Sequence, residues 1–170
     1  GPVAVFGPNN FPLAYNAAAG TDFAAALAAG NPVIAKAHPL HPGTTRFLAE
    51  ICLEALTRSG LPKAAVQLIF HLGPDDGFAL VSHPSLGASA FTGSRPGGMA
   101  LKAAADAAGR PIYVETSSVN PVFLLPGALL ERAERIADEL FGSCTLGAGQ
   151  FCTQPGVIVL LDDDAGRKFF

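Results

Sequence analysis

The sequence predicts an α/β fold, an open, doubly wound parallel sheet followed by the start of a second α/β domain. Three observations carry this. Short apolar runs alternate with longer helical patterns in β-α-β-α order, which implies parallel strands with helices on both faces. The strand runs are continuously apolar rather than alternating, as expected when helices cover both faces of a sheet. After Glu115 the texture changes to the small polar run Thr116-Ser117-Ser118, and a new strand–helix–strand set follows. We therefore divide the chain into residues 1–117 and 118–170.

The elements follow in order. Val3-Ala4-Val5-Phe6 reads as a buried strand. Phe11 to Ala29 reads as an Ala-rich helix closed by Gly30. Pro32 to Lys36 is a second strand, and Thr44 to Arg58 a helix with Thr44 or Thr45 as its cap and Gly60 just past its end. Ala65 to Phe70 is a third strand and Gly73 to Val81 a short helix. Leu86 to Phe91 is a fourth strand, Gly98 to Ala108 a helix ended by Gly109, and Pro111 to Glu115 a fifth strand. Beyond the change of texture come a strand at Pro121 to Leu125, a charged helix from Glu131 to Phe141 or beyond, and a strand at Val157 to Leu161.

Composition excludes several classes. Of 170 residues, 49% are hydrophobic and 15% charged, so the chain buries a core and is not intrinsically disordered. A net charge of −3 argues against a nucleic-acid partner, which needs a basic stripe. No apolar run is long enough to span a membrane. Three cysteines do not make a disulfide framework, and a reduced, cytoplasmic setting fits them. The single methionine is Met99, and the chain opens on Gly1-Pro2-Val3, so we read it as an internal piece of a longer protein.

Five segments carry chemistry. Asn9 and Asn10 follow the first strand; an amide there donates to a developing oxyanion, or simply makes a turn. Lys36 ends the second strand, and ligands of open α/β sheets bind beyond the carboxyl ends of strands. His38 and His41, three apart, have no carboxylate or cysteine nearby in sequence, so no metal is expected and they read as solvated or turn-packing residues. The run from Phe91 to Gly98 joins a strand to a helix. It is either an anion site at a helix N-terminus or an ordinary turn capped by Ser94; the G-x-G-x-x-G fingerprint is absent. Glu115 ends the fifth strand as a general base or as a strand end paired with an arginine. Cys152 lies in a Gly- and Pro-rich loop, as an activated nucleophile or a buried loop thiol. Cys52 falls on the apolar face of a helix, and Cys144 near the end of another.

Together these segments resemble the aldehyde dehydrogenase superfamily over essentially the whole chain. The family's Pro-Trp-Asn-Phe-Pro is similar to Pro8-Asn9-Asn10-Phe11-Pro12, with Asn9 in place of the tryptophan. Its Lys-Pro strand end matches at Lys36, its Phe-Thr-Gly-Ser at Phe91 to Ser94, and its Gly-Gln-x-Cys at Gly149 to Cys152. Its Glu-Leu-Gly-Gly becomes Glu115-Thr116-Ser117-Ser118. This last departure, with the run Lys36 to Thr44, resembles the branch containing α-ketoglutaric semialdehyde (2,5-dioxovalerate) dehydrogenases and the NADP-dependent fatty aldehyde dehydrogenase. NAD-preferring relatives carry a glutamate where this chain has Pro39, and losing that carboxylate removes repulsion against a 2′-phosphate. The resemblance thus implies NADP as cofactor, with NAD as the alternative.

The same resemblance implies a Rossmann-like cofactor domain in residues 1–117 and the beginning of a catalytic domain in 118–170. It implies Cys152 as nucleophile, Asn10 and the Cys152 N–H as oxyanion donors, and Glu115 as the base that activates water on the thioester. Lys36, Pro39, Gly93 and Ser94 fall at the cofactor. The implied substrate is a small-molecule aldehyde, and the implied full-length protein a homo-oligomer. A non-catalytic nucleotide-binding fragment is the competing reading.

Overall fold

The structure, a computed structural model, describes residues 1–170 and comprises two compact units, Gly1–Thr116 and Ser117–Phe170. The first is built on five strands: β1 (Val3–Phe6), β2 (Val33–Lys36), β3 (Val66–Ile69), β4 (Ala88–Gly93) and β5 (Ile112–Thr116). They lie in the order β3-β2-β1-β4-β5, and every pairing is parallel. The chain steps outward from β1 to β3, then returns to place β4 on the other side of β1. Between β1 and β4 the winding reverses, and at such a switch point the carboxyl ends of the strands flank a crevice suited to a ligand.

Helices cover both faces. Successive strand side chains point to opposite sides. Val5, Val33, Ala35 and Val66 therefore meet Phe23 and Ala26 of α1 (Thr21–Ala28) and Ala49 and Leu56 of α2 (Pro42–Arg58). Ala4 and Phe6 meet Val81 of α3 (Pro74–Val81) and Leu101 and Ala105 of α4 (Arg95–Ala107) on the other face. Each fully buried valine in these layers is worth about 2 kcal/mol of removed apolar surface. α4 sits close on the sheet: a Cβ on Gly98 would stand 2.7 Å from Val114 Cγ1.

Several expectations are corrected. The helix expected over Phe11–Ala29 forms only at Thr21–Ala28. Residues 11–20 instead make turns that fold back on β1, where Cβ atoms on Gly7 and Gly20 would each collide at 2.7 Å with the backbone of residues 15–17. Tertiary contact overrides the helical propensity of the alanines there. Neither Thr44 nor Thr45 caps α2, which begins at Pro42; Thr45 is inside the helix and fully buried. β4 starts later and runs further than expected, so Gly93 is its last residue, and α4 begins at Arg95 because Pro96 suits a first turn.

The second unit holds β6 (Pro121–Leu124) and β7 (Val157–Leu160), paired in parallel, with α5 (Pro126–Thr145) and α6 (Asp164–Phe169). α5 starts earlier than its charged stretch suggested and runs beyond Phe141 to Thr145, with Arg132 in a non-helical conformation (φ −152°) dividing it. α6 was not expected; Asp163 caps it, its carboxylate accepting from Gly166 N at 2.8 Å. Leu124, Leu129 and Ile136 form a small core with Val122, Leu160 and Phe169. No helix is long and apolar enough to cross a membrane.

Candidate active site

The carboxyl edge of the five-stranded sheet gathers the candidate residues of the first unit. Lys36 is the last residue of β2, in register with Phe6 of β1 and Ile69 of β3. Its ammonium has no carboxylate partner, and partial burial pushes its pKa below the usual lysine range. A half-buried cation lacking a counter-charge fits an anionic ligand. The chain then turns through His38–His41, where Pro39 is exposed at the second turn position and His41 N–H donates to the His38 carbonyl at 3.2 Å.

The two histidines pack as the turn-filling reading expected. Their rings stack at 5.4 Å between centroids. His38 Nδ1 accepts from Leu40 N at 3.2 Å, and His41 Nε2 lies 2.9 Å from the Pro8 carbonyl. Burial, then the neighbouring His41 and Lys36, lower the pKa of His38.

The bond from His41 to Pro8 reaches the loop that carries Asn10. A second anchor of that loop escaped the sequence reading. Asn16 is 1% exposed, and its Nδ2 donates to the Pro12 carbonyl at 2.9 Å and to Thr45 Oγ1 at 3.2 Å, while its Oδ1 accepts from Ala18 N at 3.0 Å. One amide thus joins the loop after β1 to helix α2. The only signal in the sequence was a lone amide ahead of an alanine run.

At the β4–α4 junction, Gly93 ends the strand and Ser94 is the helix N-cap, its Oγ accepting from Gly97 N at 3.4 Å. Pro96 has no N–H to offer, so this helix start presents fewer amide donors than a glycine-rich one. The Ser94 hydroxyl keeps its own proton for an acceptor beyond the helix. Across the sheet, Thr92 is in register with Glu115 and Gly93 with Thr116. Glu115 is exposed, with no arginine paired to it, so the alternative of a paired strand end does not hold. Its negative charge acts on Asp22 in the first turn of α1, whose pKa is raised first by burial and then by Glu115.

Cys152 belongs to the second unit. It is exposed, not the buried loop thiol of the alternative reading. Gly147, Ala148 and Gly149 all have positive φ, and they deliver the chain into a turn closed by Gln154 N donating to the Phe151 carbonyl at 3.1 Å. Cys152 is the second residue of that turn, and its backbone N–H donates to no protein acceptor. The other thiols differ: Cys52 packs against the α1–α2 core, where burial raises its pKa, and Cys144 lies in the last turn of α5.

Comparison with known proteins extends these observations. A model of the aldehyde dehydrogenase family matches residues 1–166. The chain is 50% identical over 164 residues to alpha-ketoglutaric semialdehyde dehydrogenase 2 of Azospirillum brasilense, covering 95% of this chain and 31% of that protein. It is 46% identical over 171 residues to the alpha-ketoglutaric semialdehyde dehydrogenase of Acinetobacter baylyi, covering 99% and 32%. Among solved structures, glyceraldehyde-3-phosphate dehydrogenase GapN from Methanocaldococcus jannaschii, complexed with NADP, superposes with a TM-score of 0.80 at 25% identity, over 99% of this chain and 35% of that one. The chain spans about a third of the length of these relatives. With the family model matching nearly every residue and the sheet, its switch point and the cysteine loop all present, this chain belongs to the aldehyde dehydrogenase family.

Proposed function

We propose that the protein containing this chain oxidises an aldehyde to a carboxylic acid with NADP, NAD being the alternative cofactor, and that its substrate is a semialdehyde such as α-ketoglutaric semialdehyde. The observation that carries this reading is the exposed Cys152 on a constrained turn, within the stretch matched by the family model that also contains Asn10, Lys36 and Glu115. Two relatives named for α-ketoglutaric semialdehyde support the substrate class. In this reading Gly1–Thr116 is part of the cofactor domain, and Ser117–Phe170 begins the catalytic domain.

The residues divide the chemistry as follows. The Cys152 thiolate adds to the aldehyde carbon, forming a C–S bond and placing the electron pair on oxygen. The Asn10 amide and the Cys152 N–H stabilise that oxyanion, a contribution of about 3 kcal/mol per donor. A nicotinamide held there would supply the hydride acceptor; loss of hydride from the former aldehyde carbon, with the oxyanion pair re-forming the carbonyl, leaves a thioester on Cys152. Glu115 takes a proton from water, which attacks the thioester, and the thiol leaves with the acid released. Lys36 and Ser94 would hold the anionic parts of the cofactor. Pro39 places no carboxylate against a 2′-phosphate, and Gly93 lets the chain turn beside the ligand. The half-buried Lys36 ammonium without a counter-charge supports that fit. The full-length protein acts as a homo-oligomer on a small-molecule substrate, and its free thiols suit the cytoplasm.

The test is absorbance at the reduced-nicotinamide band, with the full-length protein, α-ketoglutaric semialdehyde and a panel of other aldehydes, using NADP and then NAD. Turnover that disappears in Cys152→Ala is the expected result. Turnover retained by that variant would remove the covalent mechanism, and faster turnover with NAD would reverse the cofactor assignment.

A further inference from the structure

The mechanism leaves unused a residue that grips the turn carrying Cys152. Asn120 lies five residues after Glu115 and is half-buried with φ 41°, in the left-handed region that non-glycine residues rarely enter. Its side-chain Nδ2 donates to the Cys152 carbonyl at 2.6 Å and to the Gln154 carbonyl at 2.9 Å, with the Ser118 carbonyl further off at 3.4 Å. Its backbone N–H donates to Ser118 Oγ at 3.3 Å. Next to it, Gly156 N donates to the Val119 carbonyl at 2.9 Å, and Gln154 Nε2 ties the turn to the Cys144 carbonyl at 3.3 Å.

We propose that Asn120 is a positioning residue for Cys152, clamping the cysteine turn through its two outward carbonyls; this rests on Cys152 being the nucleophile. The bond to the Cys152 carbonyl fixes the peptide plane after the cysteine, and the bond to Gln154 fixes the exit of the turn. Both carbonyl dipoles are drawn toward Asn120. They therefore do not swing toward the thiolate or the oxyanion, where their negative ends would oppose the developing charge. Glycine would adopt this backbone at lower cost. An asparagine there adds a carboxamide whose two hydrogens are both spent on the cysteine turn.

The experiment compares the full-length enzyme with Asn120→Gly and Asn120→Asp. Glycine keeps the left-handed backbone without the donors. Aspartate keeps the shape but sets acceptors against two carbonyls. Three quantities are read: single-turnover formation of reduced nicotinamide with α-ketoglutaric semialdehyde, the KM for cofactor, and hydrogen exchange over residues 150–156. Both variants should lose about tenfold in the single-turnover rate, the scale of two lost hydrogen bonds, with aspartate at least as slow as glycine. Exchange over 150–156 should quicken, while exchange over 1–116 and the cofactor KM stay as in the wild type. Asn120→Gly turning over at the wild-type rate would overturn the proposal, because backbone shape would then suffice. Slowed turnover with unchanged exchange at 150–156 would overturn it as well. Turnover surviving in Cys152→Ala would instead bring down the nucleophile assignment on which the proposal rests.

Discussion

Replacing Asn16 by alanine removes the amide that joins the loop after β1 to α2. Three hydrogen bonds disappear, at 2.9, 3.2 and 3.0 Å. At about 1 kcal/mol net each they sum to about 3 kcal/mol. The partners left behind sharpen the cost. Ala18 and Thr45 are both fully buried, so the Ala18 N–H is orphaned where water does not reach, while Thr45 Oγ1 keeps only its long 3.4 Å contacts to His41. We expect a loss of about 3–4 kcal/mol, with the unpaired amide at the upper end. Followed by circular dichroism in urea with a slope of about 2 kcal/mol/M, the midpoint should drop by about 1.5 M. Asn16→Asp should be no better, because it turns an acceptor toward the Pro12 carbonyl. A loss below about 1 kcal/mol for the alanine variant would show that the loop holds without this amide, and would refute the reasoning.

Other perturbations follow from the same structure. Gly98→Ala forces a methyl against Val114 Cγ1 at 2.7 Å and should destabilise the fold by about 1–3 kcal/mol in the same urea assay; an unchanged midpoint would mean that α4 can shift freely. The pKa of Asp22 is raised by burial and by Glu115, so the folded chain holds its proton more tightly than the unfolded one. Its contribution to stability is complete below the unfolded pKa and is lost as pH rises through the folded value. Asp22→Asn should therefore gain stability relative to the wild type as pH is raised from about 3 to neutrality, and a pH-independent difference would contradict this. In the full-length enzyme, Asn10→Ala should lower kcat by about a hundredfold to a thousandfold if its amide serves the oxyanion. A change confined to KM would assign it to substrate binding instead.

What the sequence made legible follows the physics of each element. The central strand stood out because burial on both faces leaves a continuous apolar run such as Val3 to Phe6, whereas edge strand β5 was legible as an apolar run although Tyr113 is exposed. The turn at Pro39 and the Ser94 cap were readable because proline and serine carry local backbone preferences. The stretch from Phe11 to Gly20 was not. Alanine propensity there is outweighed by the bond from Asn16 to Thr45, 29 residues away, and by the close backbone approach at Gly7 and Gly20. Thr45 failed as a predicted cap for the same reason, since its hydroxyl serves Asn16 from inside α2. At the candidate site, Cys152 and Glu115 were conspicuous as chemical groups. The hold of Asn120 on the cysteine turn spans more than thirty residues of chain and leaves no periodic trace.

The distribution of thiols gives the two compact units separate voices. Cys52 packs against the double-helix layer over the five-stranded sheet, its thiol directed at the Ala18 carbonyl at 3.5 Å. Cys144 and Cys152 sit in the unit whose core is only Leu124, Leu129 and Ile136 with their partly buried neighbours. Local opening costs least where few apolar groups are buried. As denaturant is raised, a thiol-labelling reagent should therefore reach Cys144 at concentrations that leave Cys52 protected. Labelling at Cys52 then times the loss of the parallel sheet, and labelling at Cys144 the earlier loosening of the ground beneath the cysteine turn. Two of the three thiols thus form an internal gauge of which unit yields first, readable by the mass that the label adds.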